Sequence, residues 1–319
     1  MKKKLRFIVF AILLTPLIGL SQQTDTLINK LDSLSLKTES AGGQINNTNT
    51  KAYNESTKLT PSTYVILLAS NLKQSFTKPF HMTGRDWGNA GKFAAVAGAL
   101  AFADKPIQQR TLQFRKDNPD FLSTSNFVTN FGGPYEGYIL ASFGAYGFVF
   151  HNEKMKTTTL LATQAYITGA AVSGVIKVLS GRTRPSYYDP NTEAHPTFLG
   201  PFAKPNGARI NSAFPSGHTT VAFAAATVFA MEYKNRPWIP IVAYSSASLV
   251  GLSRITENKH WATDVLVAAA LGYLTGKQVV NNYHRYAKLK ATKQKKSTVS
   301  FNLQYNNQVL MPGLVYKFR

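Results

Sequence analysis

Three residues within the stretch 253–264 could form one chemical site: Arg254, His260 and Asp264. If a helix begins near Lys259, His260 and Asp264 lie four residues apart on one face, where the carboxylate can hold one nitrogen of the imidazole ring. The other nitrogen is then free to act as a nucleophile or base, and the arginine supplies a permanent charge suited to an oxyanion such as phosphate. On its own, a histidine one turn before an aspartate is more often a structural pair.

Two further clusters strengthen this interpretation. Lys177 and Arg184, the latter followed by Pro185, lie at the end of an apolar segment. Residues 215–218, with the sequence Pro-Ser-Gly-His, open the next apolar segment. Groups suited to phosphate therefore occur at three segment ends, where they can converge.

The three clusters read K-x6-RP, PSGH and SR-x5-H-x3-D, in that order, across residues 177–264. In this pattern the chain resembles the phosphatidic acid phosphatase type 2 and vanadium haloperoxidase superfamily, and every fixed position of the three motifs is matched. The resemblance covers residues 87–280. It implies an all-α fold, a six-helix bundle, to which this chain adds an N-terminal extension and a short C-terminal β-hairpin.

The resemblance also implies a role for each motif residue. His260 would be the nucleophile that forms a phospho-histidine, Asp264 its orienting partner, and His218 the acid that protonates the leaving alkoxide. The remaining residues would bind the phosphate through charges, a hydroxyl or a backbone N–H: Lys177, Arg184, Ser216, Gly217 and Arg254.

A metal site is the alternative use of two histidines and an aspartate. The only carboxylates in the motifs, Asp264 and Glu257, lie among the cations Lys177, Arg184 and Arg254, and such a positive site would repel a metal cation. We therefore expect no metal and no cofactor. Vanadate, an anion that mimics phosphate, is expected to inhibit.

These features predict a phosphoric ester hydrolase, a metal-independent phosphatase acting on phosphate monoesters or diphosphates of envelope lipids. Phosphatidate, isoprenyl diphosphate and a lipid A phosphate are candidate substrates. Three alternatives stay open: a broad-specificity periplasmic acid phosphatase, a vanadium-dependent haloperoxidase and a non-catalytic membrane anchoring protein.

The composition fits one large helical domain with appendages, since the chain has 319 residues, of which 44% are hydrophobic and 16% charged, and no cysteine. The net charge of +21 raises the question of nucleic acid. The charge is gathered near the N-terminus, in the motifs and in residues 285–296, without a nucleic-acid-binding signature. We expect an anionic membrane surface as partner, although a solvated basic tail is an equal alternative. The oligomeric state is unknown.

Residues 1–21 have a basic start, an apolar run and small residues spaced like a cleavage site, which predicts a signal peptide. An uncleaved membrane anchor is the alternative. Residues 22–59 are a polar linker or extension in which Leu27, Leu31 and Leu34 have the spacing of a short amphipathic helix. Export would place the protein at the periplasmic face of the envelope, associated with either the inner or the outer membrane.

The helical phosphatase domain is predicted for residues 60–283, with Thr60 capping its first helix and Pro61 in the first turn. Its six bundle helices are expected at residues 90–103, 135–150, 157–179, 219–233, 238–252 and 262–280. They could span a membrane or form the core of a soluble bundle. In the tail, 284–319, alternation from Val299 to Tyr305 and a second apolar run after Pro312 predict a β-hairpin.

Overall fold

The computed structural model describes residues 27–33, 57–188, 193–201, 211–294, 298–306 and 309–317. Within these residues the predicted all-α class is confirmed, and each of the six expected bundle helices is present. The predicted signal peptide lies outside the described residues, as do most residues of the predicted linker.

The described helices are numbered here in chain order. The first, α1, covers residues 27–33. The others are α2 Pro61–Thr77, α3 Gly84–Ala101, α4 Asp104–Asp117, α5 Pro119–Thr129, α6 Pro134–Val149, α7 Glu153–Ser180, α8 Gly217–Glu232, α9 Trp238–Thr256 and α10 Ala262–Gln294. Short 3-10 turns occupy Lys78–His81, Asn130–Gly132 and Pro185–Tyr187.

Local sequence signals fix the start of α2, and apolar contacts hold α1 against the bundle. The Thr60 hydroxyl accepts the backbone N–H of Thr63, and Pro61 stands in the first turn of α2, as predicted. In α1, Leu31 is fully buried in the main apolar cluster and Leu27 packs beside it. The short amphipathic helix thus lies on the body of the protein.

Helix α8 occupies the centre of the bundle, packed against α7, α9 and α10. It is apolar nearly all round, with small residues such as Ala224 and Ala225 buried, as expected for a core helix. Glycines of α10 let that helix approach closely, because a Cβ at Gly272 would lie 2.3 Å from the Thr220 carbonyl oxygen and one at Gly276 2.5 Å from that of Ala224. Gly217 and His218, the last two residues of the PSGH motif, form the start of α8. The packing of α8 therefore determines where the motif lies in the bundle.

The C-terminal residues form two strands, β1 Thr298–Asn306 and β2 Val309–Lys317. The strands are antiparallel, with Thr298 opposite Lys317 and Asn306 opposite Val309.

Among the described residues, α7 is the single helix both long and apolar enough to cross a membrane, and half of its most apolar window is buried in the bundle. Core helices of soluble proteins meet the same criterion. The sequence alternatives of a membrane-spanning or a soluble bundle are therefore not separated by this feature.

The close approach of α8 and α10 predicts an unusual response to alanine. Gly272→Ala should destabilise the protein by about 1–3 kcal/mol, because the new methyl group meets the backbone of α8, although alanine is the better helix former. Gly174→Ala in α7 is the matched control, since a Cβ there meets nothing within 4 Å. Equal unfolding midpoints for the two variants in denaturant would contradict this packing.

Candidate active site

A short segment, residues 211–213, joins the first and third motifs. The Lys177 ammonium donates to the Ser212 carbonyl at 2.9 Å. The Arg184 guanidinium donates through Nε to the Asn211 carbonyl at 3.0 Å and through Nη2 to the Asn211 side chain at 2.9 Å. His260 Nδ1 lies 2.7 Å from the Ala213 carbonyl oxygen. Because the PSGH motif follows two residues later, the three motifs meet at one place.

The end of α7 brings the first motif to this segment. Gly181 has the left-handed conformation, with φ of 56°, and caps the helix through its N–H to the Lys177 carbonyl. A side chain there would also collide with the Gly200 carbonyl oxygen, 2.2 Å from the Cβ position. The chain therefore turns back sharply, which sets Lys177 and Arg184 on the same side of the turn.

The hydrogen bond of His260 differs from the sequence prediction. A carbonyl oxygen only accepts, so Nδ1 carries the proton and Nε2 keeps its lone pair. Asp264 Oδ2 lies 3.6 Å from Nδ1, too far for a hydrogen bond. The reason is that α10 begins at Ala262 and not near Lys259, so His260 precedes the helix and does not share a helical face with Asp264. The prediction that the carboxylate itself holds the ring is wrong in this structure.

Asp264 instead orders the chain around His260. One of its oxygens accepts the backbone N–H of Trp261 at 2.8 Å, and the other accepts Arg182 Nη1. Its backbone carbonyl accepts the N–H of Ser216. Asp264 therefore links the loop of the third motif to the start of the PSGH helix.

Arg182, which lies between Lys177 and Arg184 in the chain, is only 2% exposed. Besides Asp264 it binds Asp104 Oδ2 through Nη2 at 2.7 Å and the Thr263 hydroxyl through Nη1 at 2.7 Å. Asp104 Oδ1 also accepts the Thr263 N–H at 2.9 Å. Asp104 begins α4 and lies outside all three motifs, so sequence reasoning missed it. Its contact with Arg182 joins residues that are far apart in the chain, so no local sequence pattern indicates it.

The start of α8 presents free backbone N–H groups. Ser216 occupies the N-cap position without capping the helix through its side chain, and its hydroxyl oxygen accepts the Thr219 hydroxyl at 2.8 Å. Ser216 is fully buried, and helix N–H groups that no side chain caps are suited to binding an anion. A Cβ at Gly217 would lie 3.6 Å from Lys177 Cε, so the lysine chain runs beside this helix end.

His218 lies against Gly132 and Gly133, which belong to none of the three motifs. A Cβ at Gly133 would be 3.3 Å from His218 Nε2, and one at Gly132 would be 2.9 Å from the His218 carbonyl oxygen. The turn before α6 thus covers one side of the His218 ring. The ring is partly exposed, and no hydrogen bond joins it to the part of the chain that the structure describes.

Arg254 reaches the site from the last turn of α9. Its Nη1 donates to the Thr129 hydroxyl and to Glu257 Oε2, both at 2.7 Å. Nη2 is not used in either bond. Thr129, at the end of α5, is another positioning residue that the motifs do not reveal.

The three cations shape the charge state of both histidines. Burial and the charges of Lys177, Arg184 and Arg254 lower the pKa of His260 well below its ordinary value of 6.5. Burial and the charges of Arg254, Lys177 and Arg184 lower the pKa of His218 to about 4. Both rings are therefore neutral at neutral pH while the site holds no anion.

Taken together, the site is a cationic cradle beside a neutral imidazole whose tautomer is fixed. Each of the three cations keeps at least one N–H donor beyond the bonds described above. Within the described residues no group of three histidine, cysteine, aspartate or glutamate side chains is arranged to hold a metal ion. The arrangement fits a tetrahedral oxyanion and attack on it by His260 Nε2.

Comparison with known families agrees with this geometry. Residues 158–287 match the model of the PAP2 superfamily, as the motifs predict. The matched residues include all three motifs.

Two curated proteins are similar over parts of the chain. Over 74 residues, 23% of this chain, it is 53% identical to the lipid A 1-phosphatase of Porphyromonas gingivalis, and this match spans only 16% of that protein. Over 176 residues, 55% of this chain, it is 26% identical to the bacitracin transport permease protein BcrC of Bacillus licheniformis, 79% of which is covered.

Two solved structures were also matched. One is a transmembrane PAP2-type phosphatidylglycerolphosphate phosphatase from Bacillus subtilis, with 22% identity, a TM-score of 0.42, and coverage of 59% of this chain and 90% of that one. The other is LpxE of Aquifex aeolicus, with 24% identity, a TM-score of 0.37, and coverage of 53% and 92%.

The buried contacts of Arg182 predict a large effect on stability. Arg182→Met should lower the free energy of unfolding by about 3–5 kcal/mol, because Asp104 and Asp264 lose their buried counter-charge. Arg110→Met on the exposed face of α4 is the control and should stay within about 0.5 kcal/mol of the parent. Similar urea midpoints for both variants would show that the buried network contributes little.

The depressed pKa of His218 predicts proton uptake on anion binding. Sulfate keeps two negative charges between pH 5 and 7, and in the site it should raise the pKa of His218 from about 4. The complex then binds more protons than the free protein, so sulfate affinity should rise roughly tenfold from pH 7 to pH 5. Titration calorimetry measures the sulfate affinity of the parent and of His218→Gln at pH 5 and pH 7. A parent affinity that does not change with pH would contradict the prediction, and so would a His218→Gln variant whose affinity changes with pH as much as that of the parent.

Proposed function

We propose that this protein is a metal-independent phosphatase that hydrolyses phosphate monoesters or diphosphates of envelope lipids through a phospho-histidine intermediate. The observation that carries the proposal is the hydrogen bond from His260 Nδ1 to the Ala213 carbonyl, which leaves Nε2 as a nucleophile. Lys177, Arg184 and Arg254 surround this ring with positive charge, as its lowered pKa reflects.

In this mechanism the cations bind the non-bridging oxygens of the phosphoryl group, the part on which negative charge accumulates as the bond to the leaving oxygen breaks. The Ser216 hydroxyl and the Gly217 N–H at the start of α8 add further donors. Because the donors are already fixed by bonds to residues 211–213 and to Thr129, little reorganisation is needed when the substrate arrives.

The first step forms a bond between phosphorus and His260 Nε2 and breaks the bond between phosphorus and the ester oxygen. His218 gives its proton to the leaving alkoxide. The proton is present because the negative charge of the bound substrate raises the pKa of His218, which the cations hold low in the empty site.

In the second step water attacks the phosphorus, and His218, now neutral, accepts the proton of that water. The bond between phosphorus and Nε2 breaks, which restores His260. Asp264, 3.6 Å from Nδ1, stabilises the positive charge that the phosphorylated ring carries in between.

The proposed substrate is a phosphorylated lipid, and the first candidate is a lipid A phosphate. Support comes from the 53% identity, over 74 residues, to a protein named for lipid A 1-phosphate hydrolysis. Large apolar side chains exposed on α6 and α9, among them Phe148, Val149, Trp238 and Ile241, fit a membrane environment. We further propose that the protein is exported and acts at the periplasmic face, that it needs no cofactor, and that vanadate inhibits it.

The proposed roles of His260 and His218 should be distinguished by comparing esters that differ in their leaving group. His260→Ala should abolish phosphate release from every ester, by at least about 10³-fold, because the nucleophile is lost. His218→Ala should lose about 10²–10⁴-fold on an alkyl phosphate but much less on p-nitrophenyl phosphate, whose leaving group departs without a proton. Phosphate release by the purified chain measures both.

Controls test whether the reaction needs a metal ion, whether vanadate inhibits it and whether the effects are specific to the two site histidines. EDTA should leave the parent activity unchanged, vanadate should inhibit it, and His195→Ala, in the exposed loop after α7, should behave like the parent. Loss of activity in EDTA would contradict the metal-free mechanism. An active His260→Ala variant would exclude the phospho-histidine.

A further inference from the structure

A long apolar groove runs between α6, α8 and α9. It has a cavity volume of about 430 Å³ and extends from Phe131 and Val250 at one end to Tyr233 and Trp238 at the other. Val250 lies twelve positions after Trp238 in α9, which corresponds to about 18 Å of helix. These dimensions fit one hydrocarbon chain.

The groove begins beside the catalytic histidine proposed above. A Cβ at Gly132 would lie 2.5 Å from Val250 Cγ1, at the end of the groove, and 2.9 Å from the His218 carbonyl oxygen. Gly132, in the turn before α6, therefore lies against both His218 and the end of the groove. This proximity is what a substrate would need if its phosphate bound among Lys177, Arg184 and Arg254 and its attached chain entered the groove.

One carboxyl group interrupts the largely apolar lining. Glu136 lies in the first turn of α6 and lines the groove, four residues along the chain from Gly132. Its side chain is buried, and neither carboxyl oxygen has a hydrogen-bond partner among the described residues. An unpaired carboxyl in such a place is costly unless a ligand supplies the missing bonds.

The chemistry of Glu136 limits what that ligand can be. Burial raises the pKa of Glu136 to about 8, so the group is a neutral carboxylic acid at neutral pH, with one O–H donor and a carbonyl acceptor. A hydroxyl group matches both, because it accepts and donates at once. An amine would require the ionised carboxylate in an apolar groove, which is the costlier state.

We propose that the groove binds the hydrocarbon tail of the substrate and that Glu136 hydrogen-bonds a hydroxyl group carried by that tail a few bonds from the phosphate-bearing head. The inference rests on the proposed phosphatase function and narrows its substrate to hydroxylated long-chain phosphates. Glu136 is in this view a specificity-determining residue and takes no part in bond breaking.

The test compares 3-hydroxytetradecyl phosphate with tetradecyl phosphate on the purified full chain. The parent should prefer the hydroxylated ester by about 5–10-fold in kcat/KM, the effect of one or two hydrogen bonds. Glu136→Leu should remove this preference while leaving the rates on tetradecyl phosphate and p-nitrophenyl phosphate within about threefold of the parent. Glu136→Gln, whose amide also donates and accepts, should keep part of the preference.

A second variant tests the groove itself. Ala243→Trp, on the groove wall contributed by α9, should raise KM for both long-chain phosphates and leave p-nitrophenyl phosphate hydrolysis unchanged. Preference for the hydroxyl in Glu136→Leu, its absence in the parent, or long-chain hydrolysis unaffected by Ala243→Trp would overturn the inference while the phosphatase function stands. The function itself fails only if the parent releases phosphate from none of the three esters.

Binding without turnover gives a check that does not depend on catalysis. In the His260→Ala background, 3-hydroxytetradecyl phosphate should raise the unfolding temperature more than tetradecyl phosphate does, and the difference should vanish when Glu136→Leu is added. Equal shifts in the His260→Ala protein would count against a hydroxyl-binding role even if hydrolysis had failed.

Discussion

The site depends on one constraint, the path of the backbone at residues 211–213. Asn211 binds Arg184, the Ser212 carbonyl binds Lys177, and the Ala213 carbonyl binds His260. Two like-charged groups and a neutral ring, contributed by separate parts of the chain, are thus held beside each other by three consecutive residues. Without these acceptors the mutual repulsion of the cations would spread the site apart.

Arg182 joins this backbone segment to a buried ionic network, because its N–H donates to the Ser212 hydroxyl at 3.0 Å and its carbonyl accepts the Ala213 N–H at 2.8 Å. Arg182 lies between Asp104 and Asp264, and the Asp264 carbonyl in turn binds the N–H of Ser216 at the start of α8. The network connects α4, α8 and α10. Asp264, the carboxylate that neutralises Arg182, also lies 3.6 Å from His260 Nδ1, so the stability of the fold and the geometry of the candidate site depend on the same residue.

The motifs allowed the site composition and the helical class to be predicted from the sequence, because fixed residues at segment ends require those ends to converge. They did not predict how His260 is held. That outcome depends on where α10 begins, and a shift from Lys259 to Ala262 removes the shared helical face on which the prediction relied. Asp104 and Thr129 were beyond reach for a different reason, since a polar residue that acts through a tertiary contact has no spacing signal of its own.

The acceptor that fixes the His260 tautomer is a main-chain oxygen, and this has a consequence for mutational surveys. Replacing Ala213 by any other amino acid preserves its carbonyl group, so a scan of side chains would record that position as unimportant or as a packing site only. An ester linkage between positions 213 and 214, which weakens the carbonyl as an acceptor, would address this contact chemically. A contact that fixes the tautomer of His260 can therefore be invisible to conventional mutagenesis.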